Sequence, residues 1–229
     1  MPTIYAANTD NDINSGVVSS WDNARDATSG TLGGANDTTE TFAAGAFKFS
    51  GRGPDTFRVN RVFFNFDTSG ITGTVSEATL KLRFNNDVGD GNVIIIKSDA
   101  FTGGSAALAT GDINNLDFST PYSGEVDASA NSLKSITLNA TALADIKNNN
   151  DFKIAVVNYE YDYNDVAPSS TTSNYVGIRF SDYSGTSSDP QIEYTVATGY
   201  GNDVIGVASA NIGKVNGVAT ASVSKVIGV

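Results

Sequence analysis

The chain has neither cysteine nor histidine. Without cysteine there is no disulfide framework and no thiolate nucleophile, and the redox compartment cannot be inferred. Without histidine the commonest general base and the usual zinc ligand are both missing. Serine, cysteine and histidine triads are therefore excluded as mechanisms. Basic residues are also few: 14 Lys and Arg stand against 25 Asp and Glu, a net charge of −11. That balance argues against a nucleic-acid footprint or adhesion to an anionic membrane. No apolar run approaches the roughly 20 residues of a membrane span. The N-terminal MPTIYAANTDND has no charged leader and no apolar stretch, so a Sec-type signal is not expected. A protein made in a host cytoplasm and released by lysis fits these absences, with an extracellular or cell-surface location as the alternative.

The sequence does contain the makings of a β-rich core. Hydrophobic residues make up 40%, including 12 Phe and 9 Tyr, and Gly, Asn, Asp, Ser and Thr are abundant. A chain of 229 residues accommodates one large β domain. Residues 1–50 are turn-rich, and two or three short strands with long loops are expected there. From Phe57 the pattern sharpens. Val62, Phe64 and Phe66 fall on one face at period two, as do Ala78, Leu80, Leu82 and Phe84. Asn85 to Asn92 reads as a loop. Val93 to Ile96 is an unbroken apolar run, which predicts a strand covered on both faces. Residues 101–132 are irregular, and Ser135 to Asn139 reads as a short strand. Asn139 precedes Ala140–Lys147, where Leu143 and Ile146 share a face; this predicts one capped helix. Phe152, Ile154 and Val156 alternate with Lys153, Ala155 and Val157. The segments around Val176, Ile178 and Phe180, and around Ile192, Tyr194 and Val196, complete eight to ten expected strands. The predicted fold is all-β, a jelly-roll β-sandwich over residues 1–198 with one short helix, followed by a tail over residues 199–229.

The tail contains an internal repeat. Gly206 to Asn216 (GVASANIGKVN) and Gly217 to Ile227 (GVATASVSKVI) are copies of one 11-residue unit, and Gly228-Val229 begins a third. Val207, Ala208, Ala210, Ile212, Lys214 and Val215 match Val218, Ala219, Ala221, Val223, Lys225 and Val226. Apolar and polar positions alternate, which describes thin strands with small side chains. Asn216-Gly217 between the copies is a strong two-residue hairpin signal. Two readings follow: a hairpin of Val207–Val215 against Val218–Val226, or two tandem strands that each add to a partner's sheet edge. The lysines recurring at matching positions argue against a disordered Gly/Ala linker. The tail holds one Asp and two Lys, a net +1, and the preceding residues carry −12. These twelve repeat positions are the candidate assembly and docking residues, and a homo-oligomer or other assembly subunits are the expected partners.

Other candidate chemistry is sparser. Tyr159, Tyr161 and Tyr163 alternate with Glu160 and Asp162, which predicts three Tyr on one strand face; with Trp21 and Tyr183 they are candidate sugar-stacking residues. The competing reading is that these rings cover the core edge or a subunit contact. Asp87, Asp90 and Asn92, and the run Asp10 to Asn14, offer closely spaced oxygens of the kind calcium accepts. Neither run matches the twelve-residue calcium loop, and polar turn chemistry explains both. No cofactor is required, although calcium is a candidate. Carboxylates are numerous, but none sits in a recognisable glycosidase pattern. A non-enzymatic protein is expected.

Three ordered segments carry a resemblance. They are Arg61-Val62-Phe63-Phe64-Asn65-Phe66-Asp67, Glu77-Ala78-Thr79-Leu80-Lys81-Leu82, and Val176-Gly177-Ile178-Arg179-Phe180 leading to Pro190-Gln191-Ile192-Glu193-Tyr194. Together they resemble the DNRLRE-type domain, which is grouped with carbohydrate-binding modules of the alginate-binding kind. The resemblance covers about Phe57 to Val196 and implies a β-sandwich jelly roll, often an accessory of extracellular polysaccharide enzymes and surface proteins. Trp21 to Arg25 stands where that family has its N-terminal strand. The C-terminal repeats look like short segments in structural proteins of tailed bacteriophages. That likeness implies a virion protein, a head-decorating or fibre-like subunit, with a cell-surface glycan as a further expected partner.

Overall fold

A computed structural model describes residues 1–33, 44–129, 132–181, 185–197, 213–215 and 218–219. In chain order the strands are β1 (Thr3–Tyr5), β2 (Asn11–Asn14), β3 (Thr31–Leu32), β4 (Ala44–Phe49), β5 (Thr56–Asp67), β6 (Val75–Val88) and β7 (Val93–Ser98). They continue with β8 (Leu116–Pro121), β9 (Leu133–Thr137), β10 (Asp151–Asn158), β11 (Asn174–Ile178), β12 (Gln191–Val196), β13 (Lys214–Val215) and β14 (Val218–Ala219). Two α-helices accompany them, α1 (Trp21–Arg25) and α2 (Ala140–Asn148). The first twelve strands form one antiparallel sheet in the order β1-β12-β6-β11-β4-β5-β10-β7-β8, with β9 on β6, β2 on β5 and β3 on β2.

Strand β6 belongs to both layers of the sandwich. Its first half pairs with β12 on one side and β9 on the other, and its second half passes on to β11. The sheet folds over there and closes a core between its halves. Val62, Phe64 and Phe66 of β5, Leu80, Leu82 and Phe84 of β6, Phe152, Ile154 and Val156 of β10, and Ile192 of β12 share that core. The opposite face of β5, β7 and β10 is covered as well. Phe63, Ile94, Ile96, Ala155 and Val157 pack there against Ile13, Phe101, Leu108 and Ile113. Hence Val93 to Ile96 is an unbroken apolar run, since Val93 and Ile95 face one core and Ile94 and Ile96 the other.

Helix α2 forms where it is expected. Asn139 holds an extended backbone, and its side-chain oxygen accepts from the Ala142 N–H at 3.0 Å. Its amide nitrogen also donates to the Pro121 carbonyl at 2.7 Å, tying the helix start to the opposite layer. Ala142 and Ile146 bury the helix face. Asn139→Ala should therefore cost about 1–2 kcal/mol, read as a lower denaturation midpoint at unchanged slope.

Three expectations need correction. The first 50 residues hold four described strands where two or three were expected: β1 pairs with β12, β2 and β4 flank β5, and β3 pairs with β2. They also contain α1, capped by the Ser20 side chain accepting from Asn23 N–H. Asn85 to Asn92 is not all loop, because β6 runs on to Val88. Val176 opposes Asp87 and Gly177 opposes Asn85, so Asn86 is a bulged residue, and its φ is 42°. Asn is one of the few residues that tolerates this left-handed conformation. The polar side chains hid a strand whose pairing is made by the backbone.

Candidate functional site

The four described aromatic candidates, Trp21, Tyr159, Tyr161 and Tyr163, do not form an open platform. The sequence Tyr159 to Tyr163 is not a strand continuing β10 but a single π-helical turn, which begins where Asn158 ends the ladder. The Asn158 side-chain oxygen accepts from Tyr161 N–H at 2.9 Å, and its amide nitrogen donates to the Asp90 carbonyl at 2.7 Å. The turn closes with Val166 N–H donating to the Tyr161 carbonyl at 2.9 Å. Asp165 follows with φ 55°. In the turn the Tyr residues no longer share a face. Tyr159 and Tyr163 stack on each other with centroids 5.7 Å apart, half-buried over the outer core. Tyr161 goes the other way, toward the cluster of Trp21, Ala24, Ala46 and Val59. Partial burial, the hydrogen bond its hydroxyl donates to Asp90 (2.7 Å), and the nearby charges of Asp90 and Glu160 push the Tyr161 phenol up to about 12.

Trp21 is buried at 7% exposure, edge-on to Phe57 at 6.2 Å, and its indole N–H donates to Asp165 at 3.1 Å. Trp21, Tyr159, Tyr161 and Tyr163 therefore do come together, but as the packing around one turn. Tyr183 lies outside the described residues. What the turn serves is Asp162, which is fully buried. Its carboxylate takes a two-pronged ion pair from Arg61 of β5, with Nε at 2.8 Å and Nη2 at 2.7 Å. Arg61 is fully buried too, and its remaining donors reach the Ile113 carbonyl at 2.7 Å and the Arg25 carbonyl at 2.6 Å. Phe118 lies beneath both guanidinium groups, 4.3 Å from that of Arg25 and 5.3 Å from that of Arg61. One side chain thus ties β5, the end of α1, the irregular segment before β8 and the π-turn together. The sequence did carry a signal for this: Arg61 stands beside the apolar run Val62-Phe63-Phe64, and a charge there demands a partner.

The calcium candidates also have other work. Asp90 accepts from Tyr161, and both amide atoms of Asn92 are used, with Glu125 at 2.7 Å and Ala128 N–H at 3.1 Å. Partial burial and the neighbouring Asp127 raise the Asp87 carboxyl, with Lys134 opposing. Asp10 accepts from the Ser181 hydroxyl and N–H at 2.6 and 2.9 Å. Among the described residues no three His, Cys, Asp or Glu side chains converge on a metal-sized position.

A cleft of about 470 Å3 lies beside the end of α2, lined by Lys97, Asp99, Asn149, Asp151 and Lys153. Its aromatic neighbours Tyr122 and Phe152 are buried in the core and stacked on each other at 5.1 Å, leaving the cleft polar. Tyr122 donates its hydroxyl to Asp145, which Lys97 also reaches at 3.1 Å.

At the C-terminus, β13 and β14 pair antiparallel as a two-stranded sheet of their own, with Lys214 opposite Ala219 and Val215 opposite Val218. Asn216 and Gly217, between the two pairs, lie outside the described residues. Val207, Ala208, Ala210, Ile212, Ala221, Val223, Lys225 and Val226 lie outside the described residues. No helix among the described residues is long and apolar enough to cross a membrane.

No family model matches the sequence. No curated protein matches it either.

Proposed function

We propose that this chain is a non-enzymatic structural subunit of a tailed-phage particle, a head-decorating or fibre-like component. Its sandwich is the displayed body, and its C-terminal repeats attach it to neighbouring subunits. The observation that carries this reading is the repeat itself, whose described residues Lys214–Val215 and Val218–Ala219 pair with each other and not with the twelve-stranded sheet. A lone two-stranded hairpin is marginal in water and needs a surface to complete it. A tail of net +1 behind a body of −12 also favours attraction between one copy's tail and another copy's body. The buried charges support the same reading, because Arg61, Asp112 and Asp162 are spent on holding loops to the sheet. The glycan-binding alternative draws little from Trp21, Tyr159, Tyr161 and Tyr163, whose rings pack around the π-turn.

The test is deletion of Gly206 to Val229, followed by light scattering and a particle-incorporation assay. The full chain is expected to oligomerise and to be incorporated, and the shortened chain to do neither. A shortened chain that assembles unchanged would overturn the reading.

A further inference from the structure

Strand β9 forms one edge of the sandwich, and this edge supplies what the tail needs. Among the described strands β9 pairs with β6 alone. Phe84 N–H donates to the Ser132 carbonyl and Leu138 N–H to the Ala78 carbonyl, so the even-numbered residues of β9 bond inward to β6. By the alternation of an antiparallel ladder, the backbone N–H and C=O groups of Leu133, Ser135 and Thr137 point away from β6. Their side chains are exposed, while Ile136 turns into the core.

Facing this edge across a groove of about 290 Å3 is the segment Ser123 to Asp127 of the other layer. Val126 exchanges both backbone bonds with Val93, which leaves the backbone groups of Glu125 and Asp127 turned toward the groove. At one end the walls meet where Asn139 N–H donates to the Tyr122 carbonyl at 3.0 Å. At the other, Lys134 bridges to Asp127 at 3.5 Å and to Ser129 at 2.6 Å. Between these closures both walls turn backbone groups to the groove that pair with no described residue, and their rim carries the exposed carboxylates of Glu125 and Asp127.

We propose that this groove receives the C-terminal repeat of a second copy of the chain, added to β9 as an extra strand. The inference rests on the assembly reading above and names its receptor. Three features select the occupant. Ala208, Ala210 and Ile212 alternate with Ser209, Asn211 and Gly213, so a repeat strand turns small apolar side chains toward the core and polar ones outward. Each repeat carries one lysine and meets an acidic rim. In the single chain, no described strand other than β6 pairs with β9, whereas the tail's described strands pair with each other. A hairpin keeps one edge free, so β6, β9 and the two tail strands form a continuous ladder that removes the marginality of the isolated hairpin. The groove of one copy and the tail of another are different surfaces, so the contact is heterologous and propagates a ring or a filament.

The absence of native cysteine makes the contact directly readable. Full-length chains carrying Ser135→Cys are mixed with full-length chains carrying Ser209→Cys, Asn211→Cys, Ser222→Cys or Ser224→Cys, and oxidised. A disulfide between the two kinds of chain is expected for at least one tail position, and none with Ser76→Cys, on a different strand, as the body cysteine. In parallel, Ser135→Pro removes an outward N–H without touching the ladder to β6, a substitution an edge strand tolerates. This variant is expected to keep the wild-type melting temperature and lose the oligomer. A disulfide that forms only when both cysteines are in one chain would overturn the proposal in favour of the chain's own tail. No disulfide, together with an oligomer that Ser135→Pro leaves intact, would overturn the groove as receptor. If deletion of Gly206 to Val229 still abolishes that oligomer, the assembly reading survives and only the receptor is wrong.

Discussion

Asp162→Ala is expected to lower folding stability by about 3–5 kcal/mol, the cost of leaving a buried charge without its partner. Arg61 has no exposure and sits between the sheet and the covering loops, so water cannot replace the carboxylate without opening that layer. Asp162 receives two of the four hydrogen bonds that Arg61 makes. The other two, to the Ile113 and Arg25 carbonyls, hold the guanidinium in place and prevent it from swinging out. Urea titration at constant slope reads the loss. Asp162→Asn should cost less, since the amide keeps one acceptor and the size of the side chain. The double change Arg61→Met with Asp162→Leu should recover much of the loss, because removing both partners of a buried pair is often neutral. If Asp162→Ala shifts stability by less than about 1 kcal/mol, the range of a surface ion pair, the tie is not the clamp described here.

The second large effect is expected at Asp112, whose side chain is fully buried and accepts five hydrogen bonds. Three come from the N–H groups of Phe101, Thr102 and Ala109, one from the Thr102 hydroxyl and one from the Asn115 amide. Phe101 and Thr102 lie eleven and ten residues before Asp112, so a single carboxylate closes this loop over the outer core. Asp112→Ala leaves buried donors unsatisfied at roughly 1–3 kcal/mol for each that cannot find water, and a total of about 3 kcal/mol is expected. The pH dependence gives an independent check. Burial pushes the Asp112 carboxyl up, but the bonds from Ala109, Thr102 and Asn115 outweigh it, and the net shift is downward. A lowered native value means the folded state favours the carboxylate. Its contribution is therefore present above the unfolded value of about 3.9 and is lost as pH falls through the lower native one. The stability gap between wild type and Asp112→Ala should be flat near neutrality and shrink in acid below about pH 4. A gap that is independent of pH down to about 2 would mean the carboxylate's charge plays no part.

Much of the sandwich is legible in the sequence because burial imposes period two on strands. Val62, Phe64 and Phe66 on one side and Phe63 on the other are assigned correctly by alternation alone. The cap at Asn139 is equally local, since its partner Ala142 is three residues away. The Tyr turn is different. Alternating Tyr and acidic residues fit a strand, but Asp162 must reach Arg61, about a hundred residues earlier, and that pair pulls the backbone into a π-turn. The short helix at Trp21 is missed for a similar reason: five residues carry too little periodicity, and their burial is decided by Phe57 and Val59 of β5.

Sequence pattern alone sets the strand faces, the capped helix, the lack of histidine and cysteine chemistry, and the repeat in the tail. Each follows from interactions among near neighbours or from composition. Only the tertiary structure decided where the aromatic rings point, which charges are buried together, and which strand keeps a free edge. Those depend on contacts between residues far apart in the chain, where a backbone hydrogen bond leaves no mark on side-chain identity. The edge of β9 is such a case: nothing in Leu133 to Thr137 announces it, and among the described strands it exists only because β6 has a neighbour on each side and β9 has one.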